Sequence, residues 1–506
     1  MKKVVLSAIA LFVGAVGFSQ VTDGDGNSSS DPTVIAALPG AGAGANTGLS
    51  VQYGNAQRVR VRQAGTRQSA YTVQDNGSGA GGNQAFVRQT GAVGPTSGVR
   101  NAAEVLQSGT TNSSLTRQEG DRNKANTRQG QNNDASANNK AYIRQGVANQ
   151  AERNFAQIDQ DGNGNLASTV QTYDNNDAWT QQDGTENKSM IRQNGGPNGT
   201  AGHYASVQQE GLANESTVMQ QGAGARNTAY SLQVGALNQA KQMQNTSAGA
   251  GTGNRAGILQ GTAGHDEATV YANVVPAGDA IFTRINDEVD DRARPSFTNS
   301  LNSFYAKAKQ TQDGFRNEAD ITQVGGIGDG QSNYAEQDQD DAGSSRNQAG
   351  IRQAYNPNYY GRTQDQYAKQ KQRGSRNVAG VVQEGAENKA YQYQNGARNE
   401  ALSFQIGAEN KLNTHQIGDR NVAHTTQWGL DNRALVVQYD GQSYFVNQGQ
   451  NGESISSQAD ILQVGPNGNF GPDYAIDCDF DDPMNLDMDF SVPMVMNPDI
   501  CTDCNN

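Results

Sequence analysis

From Gln372 a glutamine recurs every eleven residues without a miss, at Gln383, Gln394, Gln405, Gln416, Gln427 and Gln438. Two residues after each comes a glycine (Gly374, Gly385, Gly396, Gly407, Gly418 and Gly429), and three further an asparagine (Asn377, Asn388, Asn399, Asn410, Asn421 and Asn432). Two beyond each asparagine stands Ala379, Ala390, Ala401, Leu412, Ala423 or Ala434. The unit is Q-x-G-x-x-N-x-A-x-x-x. It returns at Gln52–Gln63–Gln74, Gln107–Gln118–Gln129, Gln160–Gln171–Gln182–Gln193, Gln209–Gln220, Gln233–Gln244 and Gln312–Gln323. A chain built this way must give every unit the same backbone and stack each unit on its neighbours.

An eleven-residue period also suits a right-handed helical coiled coil, but that needs apolar seam positions. Here the fixed places hold Gly, Asn and Gln, and one glycine per unit costs a helix about 1 kcal/mol each time. A strand fits better. Asn, Ala, the fourth position and Gln fall at alternate residues and so point to one side. The four residues between Gln and the next Asn include a glycine that can reverse the chain. Irregular units agree: the spacing grows to 15 residues from Gln74 to Gln89 and 18 from Gln89 to Gln107, yet Asn83-x-Ala85-x-x-x-Gln89 and Asn101-x-Ala103-x-x-x-Gln107 stay intact. The extra residues, such as Ser78-Gly79-Ala80-Gly81-Gly82, fall on the arc side.

The residue before each Asn alternates in sign, through Arg376, Glu387, Arg398, Glu409, Arg420 and Asp431. The period is therefore 22 residues, two strands per coil. One edge then sets each acid beside a base, as in Glu387-Asn388-Lys389, while the other stacks Arg376, Arg398 and Arg420. The expected fold is all-β: a two-sheet, amyloid-like β-solenoid of about 22-residue coils, each made of two eleven-residue strand-arc units. Identical side chains then lie one coil apart, and Asn and Gln form amide ladders that lose no hydrogen bonds on burial. About 30 anchor glutamines give about 15 coils and a rod of roughly 70 Å at strand spacing.

Composition fits a polar interior: hydrophobic residues are 34% and glycine 60 of 506, too few apolar residues for an ordinary Leu/Ile/Val core. Lys2, Lys3 and the short apolar stretch Val4–Phe18 read as a secretory signal peptide spanning residues 1–19. The mature chain then has 36 basic and 51 acidic residues, a balance unsuited to coating nucleic acid. No later apolar run is long enough to span a membrane. Cys478, Cys501 and Cys504 all lie in the tail, so no disulfide framework supports the body, and the lone Cys501-Thr502-Asp503-Cys504 lacks the second pair of a zinc site. The plan is a Gly/Ser/Asp-rich linker (20–50), a solenoid block (51–260), a non-repeat insertion or hinge (261–305), a second block (306–465) and an acidic, Met- and Cys-containing tail (466–506).

The motif Q-x-G-x-x-N-x-A-x-x-x-Q, recurring from Val51 to Gln463, resembles the curlin repeat of bacterial curli fibre subunits. That resemblance implies a secreted subunit that passes an outer-membrane export pore, joins other curlin subunits and copies of itself, and forms functional amyloid for biofilm matrix, cell aggregation and surface adhesion. An accessory or nucleating curlin, or a monomeric solenoid adhesin, is the alternative. This chain is several times longer than a typical curlin subunit, and its repeat lapses between Gly261 and Lys309.

Chemistry-bearing motifs are sparse. His203, His265, His415 and His424 show no metal spacing, and His415 and His424 sit at outward strand positions that read as solvated. Asp161-Gly162-Asn163-Gly164-Asn165 opens like a calcium loop but lacks the closing Glu, and Asp23–Asn27 is similar. Tyr391, Tyr393, Phe404, Trp428 and Tyr444 are expected on outer sheet faces. With no nucleophile–base pair or phosphate loop, no enzyme, cofactor or metal is expected.

Overall fold

The computed structural model describes residues 31–36 and 44–465, apart from 78, 80, 91–98, 132–135, 147–150, 197–200, 224, 247–251, 266–272, 294–301, 326–332, 355–364 and 450–453. The signal peptide, the acidic tail and its three cysteines, and Asp23–Asn27 lie outside the described residues. Among the described residues about 66% lie in strands and 4% in helix, wound into a parallel β-solenoid of about 14 turns. Strands alternate between a 17-stranded and a 15-stranded sheet, so each turn gives one strand to each.

Register follows the repeat. Tyr367–Ser375 pairs with Lys389–Ala397 so that Gln372 meets Gln394, and Val378–Ala386 pairs with Glu400–Ala408 so that Gln383 meets Gln405. In this array successive glutamines of one sheet are 22 residues apart. Over the whole chain a turn averages about 25 residues. Arc insertions account for the excess: 33 residues separate Gln74 from Gln107, and 30 separate Gln323 from Gln353. Arcs face water and tolerate length, whereas stacked strands must match.

The interior is thin and filled by the alternate residues that the repeat points inward. Ala379, Val381 and Gln383 are fully buried. Ile258, Ile321, Ile351 and Val381 of one sheet share a cluster with Ala308, Ala335, Ala368 and Ala390 of the other, so bulky branched side chains fill the space that alanines leave. Burying each of these branched side chains stabilises by about 1.5–3 kcal/mol.

In the regular eleven-residue arcs of the array, two residues take the left-handed conformation. One is the expected glycine: Gly385 has φ 122° and Gly407 φ 122°. The other is the residue before Asn, as at Arg376 (φ 59°), Glu387 (φ 55°) and Arg398 (φ 60°). The glycine is needed for more than the turn, because a Cβ on Gly407 would lie 1.9 Å from the carbonyl oxygen of Gly429 in the next coil.

The solenoid does not break at the insertion. Gln239–Thr246 pairs directly with Lys307–Phe315, and Arg255–Gln260 with Glu318–Val324. The intervening chain is an excursion that lays helix α1 (Pro276–Glu288) on the outer face of the 17-stranded sheet. Ile281, Phe282 and Ile285 pack with Val382, Leu402 and Phe404. The sheet makes room with Gly350 and Gly380: a Cβ on Gly380 would meet Ile281 Cγ2 at 2.5 Å. Asp320, fully buried beneath α1, accepts a hydrogen bond of 2.7 Å from Gly278 N and so caps the helix from the sheet.

Candidate functional site

The residues singled out by the repeat form continuous files along the rod. In the 17-stranded sheet each glutamine Nε2 donates to Oε1 of the glutamine one coil on: Gln383 to Gln405 (2.8 Å), Gln405 to Gln427 (2.7 Å) and Gln427 to Gln448 (2.9 Å). The same file runs back through Gln353, Gln323, Gln260, Gln233 and Gln209 to Gln52. The 15-stranded sheet carries its own file from Gln63 through Gln372, Gln394, Gln416 and Gln438 to Gln463. Nearly every amide also donates across the interior, as Gln383 Nε2 does to Tyr367 O and Gln394 Nε2 to Val378 O. That second bond locks the amide orientation, so every dipole in both files points the same way along the axis.

A third, shorter file was not legible in the repeat. Gln242, Gln310, Gln337, Gln370 and Gln392 occupy the variable inward position of consecutive coils and are linked at 2.9–3.0 Å.

The asparagines do a different job from the expected pure amide ladder. Asn399 N donates to Asn377 Oδ1 and Asn421 N to Asn399 Oδ1, while Asn377 Nδ2 reaches Arg373 O in its own arc and Gly396 O in the next. Each asparagine thus staples two arcs through backbone groups. Side-chain bonds between asparagines occur too, as from Asn410 Nδ2 to Asn388 Oδ1 at 2.9 Å. The glycines Gly374, Gly385, Gly396, Gly407, Gly418 and Gly429 all have positive φ and supply the carbonyls and the close approach that this staple requires.

His203 takes an asparagine's place in the file: its N donates to Asn176 Oδ1, and its Nδ1 faces Asn227 N at 3.3 Å. Burial lowers its pKa to about 4, so it stays neutral. His415 is outward, as expected, but not solvated: it is 3% exposed and packs beside Tyr391 and Tyr393. His265 pairs with Glu210, and His424 with Glu400. Glu288, Glu400 and His424 bring donor atoms within 4.8 Å of one another. Arg284 bridges both carboxylates, so the cluster is an ion-pair tie between α1 and the sheet. Burial works to raise the Glu400 carboxyl, but His424 and Arg284 outweigh it and hold it below the usual range.

Asp161–Asn165 forms an ordinary arc in which Asn165 Nδ2 donates to Asp161 O. Of the aromatics, Phe404 is buried under α1 and Trp428 lies under the Arg292 guanidinium at 4.3 Å. Tyr444 is not on the outer face. It pairs with Ala423 and takes the inward alanine position, because the last glutamine step is 21 residues rather than 22.

The two ends of the rod are open among the described residues. In the first coil the inward residues Ser50 and Gln52 are exposed, and neither Gln52 Oε1 nor Gln63 Oε1 accepts a hydrogen bond there. In the last coil Gln463 Nε2 makes one long bond, 3.4 Å, to Ser443 O. Among the described residues, six of the nine exposed large apolar side chains (Leu49, Tyr53, Tyr444, Phe445, Ile455 and Leu462) sit in the first or last coil. Exposed apolar area is thus concentrated at the two ends. No helix among the described residues is long and apolar enough to cross a membrane. The chain matches no protein-family model and no curated protein.

Proposed function

We propose that this chain is a structural subunit of a secreted, curli-like functional amyloid, whose copies stack end to end and continue the glutamine files from one molecule to the next. The observation that carries this reading is the polarity of those files: the first coil offers amide oxygens at Gln52 and Gln63, and the last offers amide nitrogen at Gln463. A donor end and an acceptor end make a head-to-tail contact, which does not close and so builds a filament.

Register supports the same contact. Laying Gln52 of one copy over Gln448 of another sets Leu49 over Phe445, and laying Gln63 over Gln463 sets Val61 over Ile461 and Arg60 over Asp460. The unpaired edges of Thr47–Tyr53 and Arg58–Gln63 then complete parallel ladders of the kind found inside the rod. Export, biofilm matrix and adhesion follow from the resemblance to curlins and belong to the same proposal.

The test is polymerisation of the purified mature chain, followed by Thioflavin fluorescence, fibre diffraction and electron microscopy. The expected result is detergent-resistant fibres with a reflection at about 4.7–4.8 Å along the axis, abolished by Arg60→Glu or Phe445→Lys. A stable, soluble monomer at all concentrations overturns the reading and favours a solitary adhesin. Fibres formed only by a shorter curlin seeded with this chain favour a nucleator.

A further inference from the structure

The left-handed corner residue of each arc divides by edge. On the edge where the chain passes from the 15-stranded to the 17-stranded sheet, this corner is Arg67, Arg100, Arg122 and Arg153 in four consecutive coils, then Arg316, Arg346, Arg376, Arg398 and Arg420 in five. On the opposite edge the corner is Ala56, Thr111, Asn138, Glu186, Ala213, Leu237, Tyr305, Glu387, Glu409, Asp431 or Ser456, and among the described residues it is not an arginine or lysine.

Folding does not call for arginine at these places. A left-handed residue is most easily Gly or Asn, and the chain does use Asn175 at the same corner. Nor do the arginines serve internal ion pairs: no guanidinium of the nine makes a hydrogen bond or salt bridge among the described residues. Several described carboxylates near the C-terminal run are engaged elsewhere, and the next corner of this edge beyond Arg420 is an acid, Asp440. Glu318 accepts from Gln348, Glu400 is held by Arg284 and His424, and Asp419 accepts from Ala397 N. Five like charges therefore stand in a column at about the 4.8 Å strand spacing, an arrangement that repels itself until an anion intervenes.

The column also has a shape. Arg346, Arg376, Arg398 and Arg420 line a groove of about 410 Å³ floored by small residues, Ser345, Ser375 and Ala397. Phe315 and Asp419 complete its wall.

We infer that this edge binds an acidic polysaccharide, with the carboxylates of successive sugars held in the arginine forks. Guanidinium matches carboxylate in bidentate geometry. A polyuronate carries one charge per ring, a spacing on the scale of the coil rise. Nucleic acid fits less well. Single strands need stacking platforms, and the groove offers one aromatic ring. Duplex DNA is far denser in charge than a chain of net charge −13 suits. This inference concerns the side of the rod and stands whether or not the ends polymerise.

The test is binding of fluorescently labelled sodium polygalacturonate to the full mature chain, by anisotropy for soluble protein and by co-sedimentation for fibres. Neutral dextran and a DNA duplex serve as comparisons. Expected is salt-sensitive binding of polygalacturonate, none of dextran, and at least a tenfold weakening in Arg376→Gln/Arg398→Gln/Arg420→Gln. Arg→Lys at the same three positions keeps the charge but loses the fork and is expected to fall between. Lys389→Gln/Lys411→Gln/Arg433→Gln, which removes as much charge from the other edge, leaves binding unchanged; circular dichroism checks that every variant keeps its strand signal. Absence of binding, equal loss from both edges, or tighter binding of the duplex overturns the inference.

Discussion

The regular array from Tyr367 to Tyr439 and the interrupted stretch from Gln239 to Val324 make the same contacts with very different lengths of chain. Gln372 reaches Gln394 at 2.8 Å across 22 residues, and Gln244 reaches Gln312 at 2.8 Å across 68. What differs is where the extra chain goes. The array stands on arcs of fixed length, whereas the excursion uses its extra chain to bury an outer sheet face beneath α1. The strand half of the unit is therefore specified by stacking, and the arc half is free to acquire other work.

The largest test of this contrast places a side chain where arcs touch. Gly407→Val puts a Cβ at 1.9 Å from Gly429 O in a left-handed residue, and is expected to destabilise by about 4 kcal/mol or more. Gly264 is also at positive φ, but a Cβ there would meet nothing within 4 Å, so it is expected to accept Ala for about 1 kcal/mol. Urea midpoints of the two variants compare the costs directly; equal values would mean that arc contact is not the constraint.

Phe282→Ala tests the cover alone. Phe282 is fully buried in the α1 contact, so its truncation is expected to cost about 3 kcal/mol of docking. Hydrogen exchange should rise in α1 while the glutamine-bearing strands stay protected. Loss of protection through the strands as well would show that the excursion holds up the solenoid.

Gln405→Ala and Gln260→Ala probe whether the ladder is as strong beside the interruption as inside the array. Each leaves a neighbouring amide without its partner, at an expected cost of about 2 kcal/mol. A difference beyond about 1 kcal/mol between the two, read from denaturation curves, breaks the equivalence of the two regions.

The smallest effect concerns pH. Burial raises the Asp320 pKa to about 7, against the opposing pull of Arg255 and the helix N–H group. A folded pKa above the unfolded one favours the docked state fully below about 3.8, and this contribution fades as pH rises through about 7. Protection of α1 is therefore expected to fall between about pH 4 and 7 and to level off above that. Asp320→Asn keeps an acceptor for Gly278 N and should flatten that profile; an unchanged slope would place the titration elsewhere.

Much of this architecture is legible in the sequence. Strand length, coil count, inward positions and the two sheets follow from Gln, Asn, Ala and Gly at fixed offsets, because only stacking in register satisfies buried amides. The corner conformation at Arg376 or Glu387 was hidden, since nothing about a charged residue announces a left-handed backbone. The role of α1 was hidden as well, although two signals pointed to it. Gly350 and Gly380 are glycines at outward strand positions, outside the repeat. Pro276 followed by Ile281, Phe282 and Ile285 has helical spacing behind a helix-starting proline. Burial of His203 was also missed, because its place in the asparagine file falls where an arc insertion hides the repeat.

The sequence alone determined the periodic part of the molecule, because a fixed offset between residues is a local property that every unit restates. Only the tertiary structure decided what lies beside the rod and along its edges. Which outer face α1 covers, and which arginines fall into one column, depend on how many residues each arc inserts before the next strand returns to register. That is settled by three-dimensional stacking and not by any single repeat.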